Sequence, residues 1–113
     1  MKAVPNAPPR LLLVEDDPVS AAFLHAAAST LPAEVDVAGN MAEALACAST
    51  RHHDLYLFDA NLPDGRGETL LRQLRDFGLA TPALAHTAAH EDALRERLLA
   101  AGFVDVLCKP LAV

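Results

Sequence analysis

A few residues of this chain could do chemistry together, and each stands where an apolar run stops. Glu15, Asp16 and Asp17 follow residues 11–14, and Asp59 follows residues 55–58. Thr87 follows residues 83–86, and Lys109 follows residues 103–108. Carboxylates gathered in one place repel one another unless a cation neutralises them. A hard divalent ion with oxygen ligands, Mg²⁺ above all, is the natural partner. Lys109 offers a point charge for an anion and Thr87 a hydroxyl donor. Metal, ammonium and hydroxyl around one carboxylate nucleophile are what phosphoryl transfer to that carboxylate requires.

Such residues converge only if the elements beneath them are arranged for it. The stretch DLYLFDANLPDGRGETLL, residues 54–71, sets the pattern. A short apolar run bounded by turn signals reads as a strand buried on both faces. A loop with Pro63, Asp64, Gly65 and Gly67 follows, then a helix with Leu70, Leu71, Leu74 and Phe77 on one face. The same alternation recurs along the chain. Residues 10–15 read as a first strand. Asp17 caps a helix with Pro18 at its first position, running to about Leu31 before Pro32. Residues 35–38 form a second strand, and Asn40 with Glu43 a capping box for a helix over 41–50. Residues 83–86 form a fourth strand. A helix follows with Glu91 and Asp92 in its first turn, closed by Gly102. Residues 103–107 form a fifth strand. Strands alternating with helices predict a parallel sheet of right-handed units with helices on both faces. All the polar strand ends then lie along one edge, where open α/β sheets place their sites.

The chain has 113 residues, enough for one core, and 52% of them are hydrophobic, so it folds rather than staying disordered. A net charge of −6 argues against direct nucleic-acid binding. No apolar run approaches a membrane span, and no secretory segment opens the chain. Residues 1–9 read as a Pro-rich, frayed lead-in, and residues 10–113 as one domain. Cys47 and Cys108 are too few for a disulfide framework, which fits a cytoplasmic protein.

The motifs VEDD, FDANLPDG, HTA and CKP, in this order, resemble the receiver domain of two-component response regulators, over residues 10–111. The resemblance implies a flavodoxin-like, doubly wound five-stranded sheet of order 2-1-3-4-5. It implies that Asp59 is the phosphoacceptor, served by a histidine kinase or phosphotransfer protein. It implies a Mg²⁺ site of Asp16, Asp59 and the Asn61 carbonyl, with Glu15 acting through water. Thr87 and Lys109 take the phosphoryl-binding roles, and the Lys109-Pro110 bond matches a cis peptide of the family. The chain departs from the pattern twice. Val106 stands where an aromatic residue often does, and only three residues follow Pro110, so the fifth helix is missing.

Other readings weigh less. Asp17 reads as a cap, Asp64 as a turn residue and Cys108 as a small buried strand residue. His52 and His53 precede the third strand, far from Asp59. His86 and His90 straddle a strand end and a loop, and alternation points His86 away from the side of Thr87. The histidine spacings therefore predict no zinc set. A phosphatase forming an aspartyl-phosphate needs a second Asp where Asn61 stands, and a nucleotide-binding module needs a third Gly after Gly65 and Gly67. The remaining alternative is a receiver-like interaction module whose output does not depend on phosphate. Without a fifth helix, Leu84, Phe103 or Leu107 would meet water. That face is then expected to be covered by a second copy, in a two-fold homodimer, or by the rest of a longer protein.

Overall fold

The computed structural model describes residues 8–89 and 91–109. The lead-in before Pro8, His90, the Lys109-Pro110 bond and the end of the chain after it lie outside the described residues. Apolar runs become strands and the stretches between them become helices. The order is β1 (Arg10–Val14), α1 (Pro18–Ala28), β2 (Glu34–Ala38), α2 (Met41–Thr50) and β3 (Leu55–Asp59). Two two-residue strands follow, β4 (Asn61–Leu62) and β5 (Gly65–Arg66). The chain continues through α3 (Gly67–Asp76), β6 (Ala83–Thr87), α4 (Asp92–Ala100) and β7 (Asp105–Cys108). The five longer strands form one parallel sheet in the order β2-β1-β3-β6-β7. Counted without the small β4-β5 ribbon, that is the expected 2-1-3-4-5.

Alternation divides the sheet into two faces. Leu12, Val14, Tyr56, Phe58, Ala85 and Val106 point to one side, into the main core with α2, α3 and Leu98 of α4. Tyr56 stacks on Phe58, and Phe103 meets Phe58 edge-on. On the other side α1 packs on β1 and β2, burying Leu13 and Leu24. Leu57, Leu84 and Leu107 lie beyond it and are only half-buried.

Several local expectations are corrected. Helix α1 stops at Ala28, because the Ser29 and Thr30 hydroxyls take the His25 and Ala27 carbonyls and close the end in a turn. Phe77 is not on the buried face of α3. It follows the last helical residue, ahead of the left-handed Gly78, and is 71% exposed. Phe103 does not meet water, since it precedes β7 and is buried against Phe58. Cys108 is exposed, at the end of edge strand β7. The capping box of α2 is displaced by one residue: Asn40 accepts from the Glu43 N–H, and Glu43 accepts from Gly39 rather than Asn40.

The β4-β5 ribbon bends the chain back so that α3 begins directly under the end of β3. Gly67 N–H donates to the Ala60 carbonyl, and a Cβ on Gly67 would stand 2.4 Å from the Asp59 carbonyl oxygen. That neighbour is backbone and cannot turn aside. Gly67→Ala should therefore destabilise the fold by about 2 kcal/mol or more, as overpacking does. Gly78→Ala, left-handed but with no atom within 4 Å of its Cβ, should cost about 1–2 kcal/mol. Urea unfolding of both variants checks the order; a Gly67→Ala as stable as the parent would mean that β3 and α3 are not so tightly apposed.

Candidate functional site

The register of the strands assembles the site. In β3 and β6 Asp59 lies opposite His86, and one step beyond the Val14–Phe58 pair Glu15 comes opposite Asp59. Lys109 follows β7 on the same side. Strand pleating thus puts Glu15, Asp59 and His86 in one row across the sheet, which Leu107 continues, and Lys109 stands two residues beyond Leu107 on the same face. Thr87 falls on the alternate side, in register with Cys108.

The row closes around one ammonium group. Lys109 Nζ donates to Glu15 Oε1 at 2.5 Å and to Asp59 Oδ2 at 2.7 Å. The other Asp59 oxygen, Oδ1, accepts the Asn61 N–H at 2.9 Å. Glu15, Asp59 and His86 are buried. Above them opens a cavity of about 430 Å³, lined by Glu15, Asp16, Asp59, Asn61 and Lys109 together with Asp17 and Ser20. Asp17 accepts the Ser20 N–H at 2.9 Å and is the expected cap of α1.

One cation does not balance two buried carboxylates. Burial, then the neighbouring Asp59, pushes Glu15 up to about 7. For Asp59 burial acts in the same upward sense, but bonds from Glu15, Lys109 and Asn61 outweigh it and hold the carboxyl below its usual range. Lys109 is raised: the two carboxylates outweigh its own burial. As pH falls, the first proton that the pair takes up therefore goes to Glu15, and the charge stays on Asp59. This is what a cavity short of positive charge must do, and oxygen donors around such a cavity fit a hard divalent cation.

Five of the residues expected at the site are thus brought together: Glu15, Asp16, Asp59, Asn61 and Lys109 line one cavity. Thr87 is not among them. It lines a smaller cavity of about 50 Å³ with Val106, Arg95 and Cys108, and its hydroxyl accepts the Ala89 N–H at 3.1 Å. Val106 leaves this cavity without an aromatic ring. The Arg95 guanidinium reaches past it to the Val106 carbonyl at 3.1 Å and to Asp105 at 2.9 Å.

Sequence reasoning missed two members of the site. His86 is wholly buried with Nδ1 3.9 Å from Glu15 Oε1, a place that its apolar strand context hid. Asp64 does more than turn the chain. Its carboxylate accepts the Met41 and Ala42 N–H groups at 2.8 and 3.2 Å and so fastens the ribbon to the start of α2. A single acidic residue beside Gly65 carries no sign of a partner more than twenty residues earlier.

Comparison with known proteins agrees with this geometry. The family model for the response regulator receiver domain matches residues 11–113. This chain belongs to the response regulator receiver domain family. It is 34% identical to the KDP operon transcriptional regulatory protein KdpE of Escherichia coli, over 91% of this chain and 45% of that protein. It is 30% identical to the sensor histidine kinase RcsC of Escherichia coli, over 91% of this chain and 11% of that protein. Among solved structures it superposes on the chemotaxis protein CheY4 of Vibrio cholerae with a TM-score of 0.88 and 25% identity, covering 94% of this chain and 90% of that one. The receiver spans less than half the length of these curated relatives. No helix among its described residues is long and apolar enough to cross a membrane.

The protonation pattern of this receiver has a measurable sign. The folded chain keeps the Glu15 proton up to about pH 7, while the unfolded chain loses it above 4.5. Glu15 therefore lowers stability as pH rises across that window. His86 acts oppositely. Burial, then the Lys109 charge, pushes it down from 6.5 to about 4, so stability rises with pH between those values. In metal-free buffer the two effects oppose each other between about pH 4.5 and 6.5. Glu15→Gln should unmask the rise, its urea midpoint climbing with pH more steeply than the parent's. Parallel slopes would put the proton elsewhere.

Proposed function

We propose that this receiver accepts a phosphoryl group on Asp59 from a phosphohistidine of a histidine kinase or phosphotransfer protein, and passes the signal on by a conformational shift. The observation that carries this reading is Asp59 at the floor of an open acidic cavity, with the Lys109 ammonium 2.7 Å away and the carboxyl held below its usual range. An ionised carboxylate can attack; a neutral one cannot. Asp16, Asp59 and the Asn61 carbonyl would hold Mg²⁺, with Glu15 reaching it through water. That ion would neutralise charge on the phosphoryl oxygens. Lys109 then leaves Glu15 for the phosphoryl group, and Thr87, released from Ala89, turns its hydroxyl toward it.

In this reading the chain promotes its own phosphorylation and dephosphorylation and works in the cytoplasm. The rival, an interaction module indifferent to phosphate, draws on the two departures from the family pattern and leaves the whole acidic cavity without a task. The half-buried Leu57, Leu84 and Leu107 support association through that face, in a homodimer or with the rest of a longer chain.

Incubation with a small-molecule phosphodonor and Mg²⁺ tests the assignment. The parent should gain one acid-labile phosphoryl mass, and Asp59→Asn should gain none. An undiminished gain in Asp59→Asn would move the acceptor elsewhere. Asp16→Ala should bind Mg²⁺ at least tenfold more weakly by titration, since it removes a direct ligand. Unchanged affinity would remove Asp16 from the metal site.

A further inference from the structure

At the other end of the sheet from Asp59 the fold builds a cluster that residue spacing did not reveal. It joins Asp36 of β2, Cys47 of α2 and His53, just ahead of β3. His53 stands six positions before Asp59, about 20 Å along an extended chain. His53 Nε2 lies 2.9 Å from Asp36 Oδ2 and 3.8 Å from Cys47 Sγ, and the three donor atoms all fall within 4.8 Å of one another.

Both contacts fall on the same ring nitrogen. A nucleophilic relay of Cys, His and Asp would use one nitrogen for each partner. Here Nδ1 is buried with no partner among the described residues. Nitrogen, sulfur and oxygen instead converge on one point, as ligands do. With metal–donor distances of about 2.0–2.3 Å, a tetrahedral zinc site places its donors roughly 3.3–3.6 Å apart. The separations of 2.9 and 3.8 Å bracket that range. The second carboxylate oxygen, Asp36 Oδ1, is held by Arg51 at 3.3 Å, the support that metal-bound carboxylates usually have. Arg10, 3.4 Å from Oδ2, has its other guanidinium nitrogen on Glu34 and can give way.

We propose that Asp36, Cys47 and His53 form a second metal site, for a thiophilic divalent ion such as Zn²⁺, independent of the acidic cavity. A sulfur ligand beside nitrogen and oxygen selects such an ion and excludes Mg²⁺. In the bound state His53 Nε2 offers its lone pair to the ion and the ring proton sits on Nδ1, and the Cys47 thiol releases its proton to solvent as the metal–sulfur bond forms. Burial, then the Asp36 charge, keeps that thiol protonated in the metal-free protein. Asp36 and Cys47 are both partly exposed, so an ion can reach the site, and a fourth position is left for water. The bound ion would tie β2, the second half of α2 and the entry to β3 together.

Co²⁺ is the probe, added to the reduced chain with the acidic cavity saturated by Mg²⁺. The expected result is a thiolate-to-cobalt absorption band that saturates at one equivalent, with half-saturation below about 10 µM, and that Zn²⁺ abolishes by displacement. The chain has two cysteines, so the band assigns itself. It should persist in Cys108→Ser and vanish in Cys47→Ser. Zn²⁺ should raise the thermal midpoint of the parent by several degrees and leave Cys47→Ser unchanged. Absence of a thiolate band up to millimolar Co²⁺ would overturn the proposal, as would a band that follows Cys108. So would a band undiminished in a folded His53→Gln. Should His53→Gln fail to fold, the parent spectrum and the two cysteine variants decide the matter alone.

Discussion

Everything at the upper edge of this sheet depends on a shortage of positive charge. Two buried carboxylates, Glu15 and Asp59, share one ammonium, that of Lys109. Two ionised groups so close and so poorly solvated disfavour each other, and the pocket resolves this by raising the proton affinity of Glu15. The division of labour follows from the neighbours. Asp59 has the Asn61 N–H and Lys109 to favour its charged form. Glu15 has His86 behind it, held neutral by its own burial. The site is thus pre-stressed, and any added cation relieves the stress.

The sheet supplies what such a site needs most, which is position. Parallel pairing brings four strand ends to one edge, and pleating then sorts them by parity. Residues an even number of steps apart along a strand share a face, which puts Lys109 on the side of Glu15 and Asp59 while Thr87 lies in the adjoining cavity. Below the row, Gly67 lets α3 start against the carbonyl of Asp59 itself. The carboxylate is therefore fixed from its own backbone, by a contact that only the smallest residue permits.

The fold was largely legible in the sequence because buried parallel strands end so abruptly. An apolar run that turns acidic within one residue, as at Val14-Glu15 and Phe58-Asp59, marks both an element and an edge. The row of site residues was legible for the same reason. What escaped reading depends on contacts distant in sequence or on elements too short to have a period. The β4-β5 ribbon has two residues on each side, below any alternation signal. Asp64 caps a helix that begins 23 positions earlier. Phe77 fitted the apolar stripe of α3, but the chain had already left the helix. Asp36, Cys47 and His53 sit on three different elements, so no spacing rule could join them.

The Asp64 clasp has a consequence for motion within the native state. The ribbon carries Asn61 at the rim of the cavity, and the same ribbon satisfies two of the N–H groups left unpaired at the start of α2. Fraying of that helix end and loosening of the cavity rim are then a single opening event rather than two. Deuterium should enter at the Met41, Ala42 and Asn61 amides in step, and an ion held at the rim should slow all three, including those on a helix it never touches.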